Sequence, residues 1–83
     1  MPHDGQRNGQ REVEQTRAAL VDLLLSKIKD DRFPSSTTMD LIEELLTPQE
    51  LPGYAAVLME HISADTYPSA SMMKRLVSLA KSR

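Results

Sequence analysis

One stretch of this chain occurs twice. Residues 31–46 (DRFPSSTTMDLIEELL) and 65–80 (DTYPSASMMKRLVSLA) align at an offset of 34, and carrying the alignment back to Leu20 and Tyr54 gives 7 identities in 27 pairs. The identities are Leu24/Leu58, Ile28/Ile62, Asp31/Asp65, Pro34/Pro68, Ser35/Ser69, Met39/Met73 and Leu45/Leu79, and Phe33/Tyr67 keeps an aromatic in place. A 34-residue unit has room for a helix, a turn and a second helix, so the match predicts two αα-hairpins.

The turn of each unit has a mechanical logic. Proline pushes the residue before it out of helical geometry, and a serine that follows can cap the next helix. With Ser35 as N-cap, Pro34 and Met39 occupy the two positions of a hydrophobic staple, and Pro68, Ser69 and Met73 repeat the device. Phe33 and Tyr67 are expected to fill the gap between the helices of their hairpins.

Around these turns the apolar spacing places four helices. Residues 1–11 hold two glycines, a proline and almost nothing apolar, which predicts a disordered tail. Residues 12–29 carry Val13, Leu20, Leu24 and Ile28 with Val21 and Leu25 beside them, an amphipathic helical pattern. Residues 36–46 form the second helix. Thr47, Pro48, Gln49 and Glu50 spell a capping box with proline at N1, which predicts a short helical turn at 48–51, a bend at Pro52 and Gly53, and a main helix over 53–63. The last helix is expected over 70–81. The fold class is therefore all-α: two repeated αα-hairpins, 20–46 and 54–80, packed as a small antiparallel helical bundle in one domain, 12–83. The repeat equals a tetratricopeptide unit in length, but that family's tryptophan, glycine and small-residue pattern is missing, so no groove is carried over from it.

Chemistry is sparse by comparison. The 83 residues contain no cysteine, which removes disulfides and thiol chemistry and suits a reducing cytoplasm. No apolar run is long enough to span a bilayer. There is no Gly-x-Ser-x-Gly elbow, phosphate loop, HExxH or EF-hand loop, and His61 is expected to be solvated on a helix flank. Neither an enzyme nor a cofactor or metal is expected.

Charge separates the two units. Residues 20–46 carry three basic and six acidic side chains, whereas residues 47–83 carry four basic and three acidic, the basic ones being Lys74, Arg75, Lys81 and Arg83. The expectation that follows is a non-enzymatic protein-protein interaction module, a small regulatory or adaptor protein. Its candidate partner-binding residues are Asp40, Glu43 and Glu44 on the acidic helix and Met72, Lys74, Arg75 and Lys81 on the basic one. A homodimer could set the acidic helix of one chain on the basic helix of the other, around apolar residues such as Leu23, Leu25 or Met72. The alternative is a helix-turn-helix nucleic-acid binder using the basic last helix, against which the net charge of -2 weighs.

Overall fold

The computed structural model describes the backbone of residues 2–64 and 69–81 and the side chains of residues 9–64 and 70–81. Four helices follow in order: α1 (Pro2–Asp30), α2 (Ser36–Leu45), α3 (Leu51–Ser63) and α4 (Ser69–Lys81). Among the described residues there is no strand.

The first turn forms as its residues dictate. Ser35 is extended (φ -77°, ψ 148°) and its hydroxyl accepts the Thr38 N–H at 3.0 Å. Pro34 and Met39, the staple positions, are both buried. Phe33 does not fill the gap between its helices. It is 60% exposed, its ring lying 5.8 Å from the Arg32 guanidinium, because Pro34 and Met39 already close that end of the hairpin. Tyr67, Pro68 and the Ser69 side chain lie outside the described residues.

Two boundaries differ from the expectation. The helix α1 begins at Pro2, ten residues ahead of the expected start at Glu12. Adding a residue to an existing helix costs far less than nucleating one, and the described side chains at 10–16 are all exposed, so that stretch is carried by propagation and not by packing. The chain enters the folded body at Arg17. At the other difference, residues 48–50 form a turn that runs into α3 without a bend. The Glu50 and Leu51 N–H groups donate to the Thr47 carbonyl at 3.0 and 3.1 Å. Pro52 is tolerated because the first turn of a helix needs no intrahelical N–H bond. Half of the expected capping box is present, the Glu50 carboxylate accepting the Thr47 N–H at 2.9 Å.

The hairpins stack through α1 and α3, and α4 packs on α3 without reaching α1. The bundle is therefore open along one side. Two polar joints fix the stacking. Near its start, Arg17 donates to the Leu45 carbonyl at 2.9 Å, one of the end-of-helix carbonyls that have no intrahelical partner, and to Glu50 at 2.7 and 3.2 Å. Near its end, His61 Nε2–H donates to the Ile28 carbonyl at 2.7 Å. Arg17 pairs with Glu50 and Ile28 with His61, so α1 and α3 run in the same direction. His61 is correspondingly buried, 8% exposed, which corrects the solvated placement expected from sequence.

Val21, Ile28, Met39, Ile42, Tyr54, Val57, Leu58 and Met72 make the core. Burial in it recurs at 33 residues: Val21 and Tyr54, Ile28 and His61, and Met39 and Met72 are all buried. Met73, aligned with Met39 at 34, is 47% exposed. The side chains that fill the second hairpin are thus displaced by one position from those that match in sequence. Replacing Met72 by alanine should cost about 2–5 kcal/mol in a denaturant titration, against no more than about 0.5 kcal/mol for Met73→Ala. Equal costs would place the wrong methionine in the core.

A second expectation comes from Glu50. Arg17, and then the Thr47 N–H, hold its carboxyl down at about 2 against an ordinary 4.5. A depressed carboxyl stabilises the fold above its unfolded value and loses that effect as pH falls through its folded value. The stability difference between wild type and Glu50→Gln should therefore be full above about pH 4.5 and vanish towards about pH 2. Thermal melts across that range read it, and a difference independent of pH would contradict the clamp.

Candidate functional site

Side chains that α4 turns in different directions define two surfaces. One faces α2. Tyr54 on α3 is fully buried, and its hydroxyl donates to Glu43 Oε2 at 2.5 Å. Arg75 Nη1 lies 2.9 Å from the same oxygen and 2.9 Å from Asp40 Oδ1, and Nη2 donates to the Ser36 carbonyl at 3.3 Å. Glu43 and Arg75 are largely withdrawn from solvent, their side chains 24% and 15% exposed, whereas Asp40 remains open. The Arg75 Nε is buried with no acceptor among the described residues, since the two terminal nitrogens already reach three.

The other surface faces away from the first hairpin. Leu51, Pro52, Ala55 and Met59 of α3 and Leu76, Leu79 and Ala80 of α4 line a groove of about 360 Å³ that is almost wholly apolar. It continues round α4, where Met73, Leu76, Val77 and Ala80 follow one another at i, i+3, i+4 and i+7 and both Met73 and Val77 are exposed. Beyond them Lys74 and Lys81 flank a shallow depression with Met73, Val77 and Ser78. Neither lysine makes an ion pair among the described residues.

The residues expected to bind a partner are thus divided. Asp40, Glu43 and Arg75 come together, but within the chain, so the pairing of acidic and basic helices is made between its own hairpins. Met72 is a core residue and is withdrawn as a contact candidate, and Leu25 is packed against the core. Glu44, Lys74 and Lys81 are exposed, as is Leu23. Arg75 points into the protein, which takes from α4 the side chain that would lead in reading bases.

Sequence reasoning missed Leu51, Ala55 and the rest of the groove on α3. The signal was there: Leu51, Ala55 and Met59 form an i, i+4, i+8 stripe beside that of Tyr54, Leu58 and Ile62, and two apolar stripes on one helix mean two contact faces. Among the described residues no group of three or more His, Cys, Asp or Glu is placed to hold a metal ion, and no helix is long and apolar enough to cross a membrane. No family model matches the chain, and no curated protein or solved structure shows significant similarity to it.

Burial and the hydrogen bond to Glu43 together push the Tyr54 hydroxyl well above its ordinary 10.0. A group raised in the folded state favours folding fully below its unfolded value and loses that contribution as pH climbs towards the folded one. In a Tyr67→Phe background, no phenolate absorbance should therefore develop near pH 10 while the chain is folded, and stability should decline from that pH upward. Titration near pH 10 with the fold intact would show the hydroxyl to be solvated.

Proposed function

We propose that this chain is a non-enzymatic interaction module, a small regulatory or adaptor protein that binds a partner protein through the outer surface of α3 and α4. The observation that supports this reading most is the groove between those helices, apolar in its lining and open to solvent. Exposed contiguous apolar surface is costly to leave in water, and a groove lined by it is a surface that another molecule can cover. The exposed methionines Met59 and Met73 at its edges suit such a role, since an unbranched thioether side chain adapts to a partner's contour. A cytoplasmic setting belongs to the same proposal and is motivated by a chain without cysteine.

Met59→Glu puts a carboxylate at the groove without touching the core, because Met59 is half exposed. Capture from lysate of the native host with wild type and variant should show proteins retained by the first and reduced at least about tenfold with the second, about 1.4 kcal/mol of binding. Melting temperatures should agree within a few degrees. The same proteins retained equally by both would contradict the assignment.

A further inference from the structure

We infer that the occupant of the α3–α4 groove is an amphipathic helix of a partner protein with carboxylates along its flank, which pair with Lys74 and Lys81. This rests on the groove being the binding surface and adds the shape and charge of what binds there.

The shape follows from how the chain treats its own helices. The first hairpin is covered on one side by α3, which lies along α1, and α4 reaches α2 through Arg75. Among the described residues the second hairpin has no such cover on its other side, and there the groove lies. Stacked helical hairpins need a polar outer face on the terminal unit to stay soluble. Here the terminal unit carries Ala55, Met59, Leu76 and Ala80 instead. A surface of ridges and small residues between two antiparallel helices is the kind that a third helix fits, anchored at i, i+3, i+4 and i+7.

The charge follows from a reversal between the two units. At the internal joint the underlying helix, α2, is acidic, and the side chain arriving from the next hairpin, Arg75, is basic. At the open face the underlying helix is the basic one, with Lys74 in the aligned position of Asp40. Among the described residues no acidic side chain lines either the groove or the depression beside it. A helix bringing Asp or Glu to that rim gains attraction at both lysines, and one bringing Lys or Arg meets repulsion, so the rim selects among amphipathic helices that the groove alone would accept alike. The acidic helix of a second copy, α2, fits less well: its outward face offers Leu41 as its one exposed large apolar residue, too little to fill the groove.

Two synthetic amphipathic helices test this, one with leucines at i, i+3, i+4 and i+7 flanked by glutamates, the other identical but for lysines in place of the glutamates. Methyl NMR on the full chain should show Met59, Leu76, Val77 and Ala80 shifting with the acidic peptide. It should bind about tenfold tighter than the basic one at low salt, with the preference shrinking as salt rises. The double variant Lys74→Glu, Lys81→Glu, both at exposed positions, should reverse the order. Equal or reversed affinity for wild type overturns the charge assignment and leaves the groove as a binding surface. Groove methyls unmoved by either peptide overturn both. Shifts of the same methyls on dilution of the chain alone, together with sedimentation as a dimer, would put a second copy in the groove and overturn the inference.

Discussion

A tyrosine hydroxyl in the core sets the terms for the rest of this structure. Tyr54 brings a large apolar ring that a small domain uses well, but its hydroxyl needs a partner once water is excluded. Glu43 supplies the acceptor, and a carboxylate so placed needs compensating positive charge, which Arg75 supplies from α4. Three of the four helices are thereby placed by one connected set of polar atoms. Arg17 and His61 tie α1 into the same arrangement at either end of the stack. Apolar packing alone is less selective of how the two hairpins sit, since the core they share is small among the described residues, and the polar joints choose one register.

What could be foreseen divides along the same line. Local features were legible because their causes are local: Ser35 caps α2 because a serine after a proline has little else to do, and the apolar stripes give four helices. Features that depend on the joint were not. Which of Met72 and Met73 points inward is decided by how far the second hairpin is rotated on the first, and the sequence match alone favours Met73. His61 reads as a surface residue until the Ile28 carbonyl is placed opposite it, and Phe33 reads as core until Pro34 is found in its place. The opposite charges of α2 and α4 were visible as a contrast, but nothing in the sequence says whether that contrast is met within the chain or by a second molecule.

That division gives α4 two roles. Arg75 on its inner side is committed to the fold, while Lys74 and Lys81 on its outer side remain open to solvent beside the apolar groove. Neighbouring positions, Lys74 and Arg75, about 100° apart around the helix, thus put a cation that holds the protein together beside one left open to solvent. The same separation explains how a domain with so small a core can leave apolar surface open: its hairpins are locked by the joint, and the groove is left over on the far side.

Arg75 and Glu43 are coupled inside one chain, and a double-mutant cycle measures that coupling directly. Arg75→Met, Glu43→Gln and the double variant are unfolded in denaturant alongside the wild type, at a protein concentration low enough to keep the chain dilute. A connected, largely buried pair predicts a coupling energy of at least about 1 kcal/mol, within the range of roughly 0.5–3 kcal/mol seen for residues in one network. A coupling below about 0.3 kcal/mol would mean that the two side chains do not sense each other, and that the joint is not what holds the hairpins in register.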